Sequence, residues 1–209
     1  MTVSVILPVK DEPELPQFLL RLHSQIPFKH EVLVQREEGI TFAVWKGLQK
    51  ARGPIVVIMD GDGSHDPRYI SQAVSLLNGK NVVLGYRKWN QYPFTRRFLS
   101  LACAWLTRNW LRLPYRDPLT AFIVGRKEAI KFEPKNGCKF ALDIICGLDA
   151  SCVVELPIIH KPGVNHKSKL KPIEGLYLLV QLVRLKREKL QSHKSCLGLA
   201  SATNNQTQS

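Results

Sequence analysis

Asp60 and Asp62, separated only by Gly61, are the residues of this 209-residue chain whose type and spacing best suit chemistry. Two carboxylates one residue apart can share a hard divalent cation, and Mg²⁺ is usually held by one or two carboxylates together with substrate phosphates. Gly61 and Gly63 suit tight backbone geometry and close approach of a ligand, and Ser64 and His65 follow at once. The plainer reading of the same residues is an acidic turn capping the next helix, because Asp-Gly pairs are frequent turn formers. A second acidic pair, Asp11 and Glu12, stands just beyond Pro8. His65 could act as a base, although a histidine on a cap loop is more often structural.

These residues need elements to position them. Ile55 to Met59 is an unbroken apolar run, mostly β-branched, and reads as a fully buried strand ending at Asp60. Val3 to Val9 reads as a first strand and Glu31 to Gln35 as a second. Leu15, Phe18, Leu19 and Leu22 recur at helical spacing after the first. Thr41 is the expected N-cap of a helix carrying Phe42, Trp45 and Leu48 and stopped by Gly53 and Pro54. A further helix is expected from about Pro67, with Ile70, Val74 and Leu77 on one face, before a strand at Val82 to Leu84. Strands alternating with helices predict an α/β fold with a mainly parallel sheet. Ligands of such sheets sit beyond the carboxyl ends of the strands. If the first and third strands are neighbours, Asp11, Glu12, Asp60 and Asp62 share one edge.

The second half has another character. From Tyr86 to Arg116 there are seven Arg or Lys, eight aromatics and no acid. Phe98, Leu101, Ala102, Trp105 and Leu106 recur at helical spacing with Arg97, Arg108 and Arg112 among the polar positions. A basic, Trp-bearing amphipathic helix reads as lying in a membrane interface; a core-packed helix with a solvated cationic side is the ordinary alternative. Asp117 either caps a turn or orients the acceptor or a basic residue. A short strand is expected at Ala121 to Gly125, a helix from Gly137 to about Leu148, and a last strand at Cys152 to Pro157. A final helix is expected over about Pro172 to Leu190, its apolar face built from Ile173, Leu176, Tyr177, Val180 and Val183. Nine Lys or Arg against two Glu between Lys161 and Lys194 suit an anionic membrane surface. Residues 191–209 are rich in Ser, Thr, Asn and Gln, the composition of a disordered tail.

The whole chain carries 30 Lys and Arg against 17 Asp and Glu, a net charge of +13 that implies an anionic partner. An acidic pocket in so basic a protein needs a cation to hold an anionic ligand, which favours a metal–nucleotide site over a nucleic-acid groove. The five cysteines form no CxxC pair, so neither a disulfide framework nor a zinc site is indicated and a reducing, intracellular setting is expected. No signal peptide and no apolar run long enough to span a bilayer is visible.

In sequence the chain resembles the family 2 glycosyltransferases of the nucleotide-diphospho-sugar transferase (GT-A type) fold, and among them the dolichol-phosphate (polyprenol-phosphate) mannose synthases. The resemblance is carried in order by Val5 to Glu12, Ala43 to Gly47 with Ala51 to Gly53, Met59 to His65, Gly85 to Arg87, Asp117 to Phe122, Glu155 to Pro157 and Ser168 to Leu170. It implies one glycosyltransferase domain over 1–190, with a sugar-nucleotide half to about residue 85 and an acceptor and membrane half after it. It implies Mg²⁺ or Mn²⁺ at Asp60, Asp62 and Ser64, a nucleotide pocket lined by Pro8, Asp11 and Glu12, and phosphate contacts from Arg87, Arg96 and Lys169. Asp62, Arg87, Arg96 and Asp117 are the expected catalytic set. The implied partners are a sugar nucleotide, GDP-mannose first, a polyprenyl or dolichyl phosphate and an anionic membrane surface, with no nucleic acid. The implied setting is cytoplasmic, peripheral to the inner face of a membrane.

Two departures from the family pattern stand out. The usual Asp-Asp-x-Ser segment after the second strand, with a following helix and strand, is replaced by a direct run from Gln35 through Arg36, Glu37 and Glu38 to Gly39. The usual Arg-x-x-Gly before Ser168 is replaced by residues 160–166, which shifts the expected acceptor contacts toward Lys161 and Lys167. Two readings from other classes remain open: a degenerate, membrane-associated binding protein and a nucleic-acid-binding protein. The first would show no metal-dependent affinity for a sugar nucleotide. The second would bind oligonucleotides in a salt-dependent way, indifferent to Asp60 and Asp62.

Overall fold

The computed structural model describes residues 1–37, 39–88, 93–134, 139–161 and 175–191. Its centre is a six-stranded sheet of β1 (Val3–Pro8), β2 (His30–Gln35), β3 (Ile55–Ile58), β4 (Val82–Lys88), β5 (Ile123–Arg126) and β6 (Val153–Ile159), in the order β2-β1-β3-β5-β4-β6. β1 pairs in parallel with both β2 and β3, and β4 pairs in parallel with β6. β5 alone runs against its neighbours, antiparallel to both β3 and β4. The sheet is therefore mixed but mainly parallel, as the strand–helix alternation implied.

The strand sequences explain the layering. Successive side chains of a strand point to opposite faces, and here both faces are covered, so β1 and β3 are apolar almost throughout and wholly buried. Val5, Leu7, Val57 and Met59 pack on one face with Phe18 and Leu22 of α1 (Leu15–Gln25) and Ile70 and Ala73 of α3 (Arg68–Leu76). Ile6, Val56 and Ile58 pack on the other with Val44 and Leu48 of α2 (Ile40–Lys50). Leu142 of α5 (Phe140–Cys146) and Leu182 and Leu185 of α6 (residues 175–191) complete that second layer. Gly47 brings α2 close to the sheet, for a Cβ there would lie 2.4 Å from Cγ2 of Ile6.

Two local expectations change. Thr41 does not cap α2: the N-cap is Gly39 at φ +85°, with no side-chain cap, and Thr41 is buried one position inside the helix. The positive φ is open to Gly at little cost, and it lets the chain turn from β2 into the helix within a few residues. β4 runs on to Lys88 rather than stopping at Leu84, because β6 pairs with it as far as Lys88 against Ile159. The expected start of α5 at Gly137, the start of α6 at Pro172, residues 166–170 and the tail from residue 192 lie outside the described residues.

α4 (Phe94–Leu111) turns its apolar stripe outward. Phe98 is 66% exposed and Trp105 61% exposed, and only Ala104, Thr107 and Leu111 are buried. α6 behaves alike: Leu176, Tyr177, Val180 and Val183 are exposed, while Gln181, Leu182 and Leu185 face inward. Besides the shared packing of Leu111 with Leu182 and Leu185, polar contacts tie α6 to α4 and to α5. The Lys186 and Lys189 ammonium groups donate to the Trp110 and Leu111 carbonyls at the end of α4, at 2.8 and 3.0 Å. Gln181 and Arg184 of α6 both bond Asp143 of α5. Among the described residues no helix is long and apolar enough to cross a membrane.

Candidate active site

Because β2, β1 and β3 are adjacent and parallel, their carboxyl ends open on one edge, and a cavity of about 780 Å³ lies there. Its lining comes from three loops: Pro8 to Glu12 after β1, Arg36, Glu37, Gly39, Ile40 and Ala43 after β2, and Asp60 to Asp62 after β3. The two acidic clusters seen in the sequence therefore meet.

The loop after β3 is shaped by its own residues. Asp62 Oδ1 accepts the Ser64 amide at 2.9 Å, closing a tight turn around Gly63 at φ +77°. Gly61 admits the β1 loop, since a Cβ there would lie 2.4 Å from Cγ1 of Val9. His65 is fully buried, with Nδ1 accepting the Asp60 amide at 3.4 Å and standing 3.9 Å from Asp60 Oδ2. The end of β6 crosses this loop: His160 bridges His65 in antiparallel fashion, and the Lys161 amide donates to the Ser64 carbonyl at 3.0 Å. The two imidazoles meet edge to face at 4.8 Å between centroids.

Asp60, His65 and His160 consequently offer ligand atoms all within 4.8 Å of one another, the set of this kind found among the described residues. Ser64 Oγ is buried without a hydrogen-bond partner in the structure, as is His65 Nε2, the nitrogen that carries the proton of the neutral ring when Nδ1 accepts the Asp60 amide. Carboxylate, hydroxyl and neutral imidazole are donors a divalent ion accepts, so the residues present fit a metal. His160 was missed as a donor by sequence reasoning; its one signal was a histidine directly after the carboxyl end of a strand.

Burial is the main reason both imidazoles resist protonation. His65 is pushed from 6.5 to about 3 by burial and then by the charge of Arg87. His160 also falls to about 3, through burial, then His65 and Arg87, with Asp62 and Asp117 opposing. Between these values and 6.5 the unfolded chain binds more protons than the folded one, so stability must rise with pH across that window. Well inside that window each ring contributes a slope of at most about 1 kcal/mol per pH unit. In urea titrations of metal-free protein, a loss of about 2–4 kcal/mol is expected between pH 7 and pH 5. An unchanged midpoint would mean that the rings protonate normally in the folded state.

Arg87 leaves β4 beside this cluster. Its Nε and Nη2 donate to the two Asp117 oxygens at 2.6 and 2.9 Å, and its amide donates to Asp117 Oδ2 at 3.2 Å. Asp117 thus orients a basic residue, one of the roles its type allowed, and it also starts the turn in which the Thr120 amide reaches its carbonyl. The bidentate geometry fixes the guanidinium plane. Arg96 stands half-buried on α4 and is not among the residues lining the cavity. Lys169 and Lys167 lie outside the described residues.

The comparison with known proteins accords with this layout. The model of the family described as "Glycosyl transferase family 2" matches residues 6–134, most of the chain from β1 to beyond β5, and the chain belongs to that family. Among curated relatives, the dolichol-phosphate mannosyltransferase of Pyrococcus furiosus is 30% identical over 162 residues, covering 72% of this chain and 45% of that protein. That of Mycosarcoma maydis is 29% identical over 164 residues, covering 72% and 55%. The chain thus spans about half the length of these relatives. In fold it is similar to glucosyl-3-phosphoglycerate synthase from Mycobacterium tuberculosis in complex with uridine diphosphate, with a TM-score of 0.64 and 16% identity over 88% of this chain and 80% of that one. The same synthase with Mn²⁺, uridine diphosphate and glucosyl-3-phosphoglycerate matches with a TM-score of 0.61 at 17% identity, over 89% and 76%.

Proposed function

We propose that this glycosyltransferase moves a hexose, mannose from GDP-mannose in the first instance, onto a polyprenyl or dolichyl phosphate at an anionic membrane surface. The observation that carries the reading is the pairing of a carboxylate-floored cavity with two outward-facing apolar helices on the same chain. The cavity suits a nucleoside diphosphate, and the exposed residues Phe98, Trp105, Leu176 and Val180 suit the edge of a bilayer. The protein would act peripherally, at the inner face.

In this reading Pro8, Asp11 and Glu12 line the nucleotide, and Asp60, Asp62 and Ser64, with His160 close by, would hold Mg²⁺ or Mn²⁺. A bound ion would supply positive charge for the departing nucleoside diphosphate. Arg87, held in plane by Asp117, adds fixed positive charge for the same phosphates, and stabilisation of developing charge by preorganised groups is commonly the largest catalytic contribution. Arg96 and Lys169 are assigned to phosphate as well, on the donor or on the lipid. The acceptor phosphate attacks the anomeric carbon from the face opposite the leaving group and inverts it. It is already anionic at neutral pH, its second pKa being about 6, so no strong general base is needed.

The test is transfer of radiolabelled sugar from GDP-mannose, with UDP-glucose in parallel, to polyprenyl phosphate in detergent with Mg²⁺ or Mn²⁺. Metal-dependent label in the organic phase from GDP-mannose is the expected result. Label from UDP-glucose alone would replace the donor, and no transfer from either would sink the synthase reading for these donors.

A further inference from the structure

Residues of the connection from β2 to α2 form one wall of the cavity. With the diphosphate at Asp60 and Asp62 in the loop after β3, the nucleoside must extend across β1 toward β2. That is two strand spacings, about 10 Å. At the far end stand Arg36 and Glu37, with Ile40 of α2 beside them. Ile40 is 40% exposed and offers an apolar surface to a base plane. Glu37 is not adrift: its Oε2 is 3.0 Å from Lys46 Nζ, and that ammonium also lies 5.2 Å from the centroid of the Phe42 ring. Arg36 Nη1 donates to the Lys10 carbonyl at 3.4 Å and so is tied to the β1 loop.

We infer that Glu37, together with Arg36, is the nucleobase-reading pair of this enzyme and selects guanine over uracil. This rests on the sugar-nucleotide reading above. A carboxylate only accepts hydrogen bonds and has two oxygens side by side. Guanine presents two neighbouring donors, N1–H and N2–H₂, that match both oxygens. Uracil presents one donor, N3–H, flanked by two carbonyl oxygens, so a carboxylate there gains one bond and faces two acceptors. Adenine and cytosine each set a ring acceptor next to their amino group. On its other edge guanine carries the O6 and N7 acceptors, which suit the fork of an arginine. A wall with one carboxylate and one guanidinium is thus complementary to guanine along both edges, and the short connection brings the two side chains from adjacent positions.

The experiment is calorimetric titration of the full chain with GDP and with UDP in the presence of Mn²⁺, for the native protein and for Glu37→Gln. Glutamine keeps the length but replaces one acceptor oxygen with a donor. Native protein should bind GDP at least about tenfold more tightly than UDP, the discrimination expected of a good bidentate contact. Glu37→Gln should lose about tenfold or more for GDP and change UDP affinity less than about twofold. Equal losses for both nucleotides would make Glu37 a merely structural partner of Lys46, and tighter UDP binding by the native protein would reverse the assignment. Either result overturns the inference and leaves the transferase reading standing. Failure of both nucleotides to bind, with or without Mn²⁺, would overturn the inference and the donor reading together.

Discussion

Asp62→Ala should lower sugar transfer by about 10³-fold or more, the scale of removing a group that stabilises charge in the transition state. Asp62 has two functions that must be separated. Its carboxylate lines the cavity, and its Oδ1 accepts the Ser64 amide that shapes the loop. Losing that hydrogen bond alone costs about 1 kcal/mol, far too little to account for such a fall in rate. Asp62→Asn keeps an acceptor for the turn while removing the negative charge. If the charge is what matters, the two variants should be similarly inactive, both should remain folded, and both should lose Mn²⁺-dependent affinity for the nucleotide. Near-native transfer by Asp62→Asn would place the role of the residue in the turn and not in the metal site.

Asp117→Ala should be the most damaging single change to stability at the site. The Asp117 side chain is 6% exposed and that of Arg87 17%, and three hydrogen bonds join them. Removing one partner of a buried pair costs about 3–5 kcal/mol because the other charge is left without compensation. The partial exposure of Arg87 puts the expected loss near the lower end, about 3 kcal/mol. For a chain of this size that lowers the melting temperature by about 6–12 °C. The double variant Arg87→Met with Asp117→Leu removes both charges, so it should be markedly more stable than the sum of the single losses predicts. It should nevertheless remain poor in transfer, because the positive charge assigned to the phosphates is gone. Wild-type transfer by the double variant would show that Arg87 serves the fold alone.

The parts of this protein legible in its sequence are those governed by local rules. Unbroken β-branched runs such as Ile55 to Ile58 mark strands buried on both faces, and the 3.6-residue recurrence of Leu15, Phe18 and Leu22 marks a helix packed on them. The abrupt change from Met59 to Asp60, Gly61 and Asp62 marks the end of the buried strand, because carboxylates cannot continue an apolar run covered on both faces. The same periodicity named the stripe of α4 but not its surroundings. A run of Phe98, Leu101 and Trp105 looks alike in a core and on a membrane, and only the packed molecule leaves it facing outward. Pairings between distant residues were also illegible. Asp117 reaches Arg87 across 30 residues, and His160 reaches Asp60 and His65 only because β6 lies beside β4 and its end crosses the β3 loop.

By itself, then, the sequence determined which segments are strands and helices, where the carboxylates fall on them and how basic the rest of the surface is. These follow from the burial pattern and charge of each residue with its near neighbours. The tertiary structure alone decided that β5 enters antiparallel between β3 and β4, that the loops after β1, β2 and β3 share one cavity, and that Arg36 and Glu37 close its far wall. Those outcomes depend on strand order and on contacts between residues far apart in the chain, and local periodicity does not encode them.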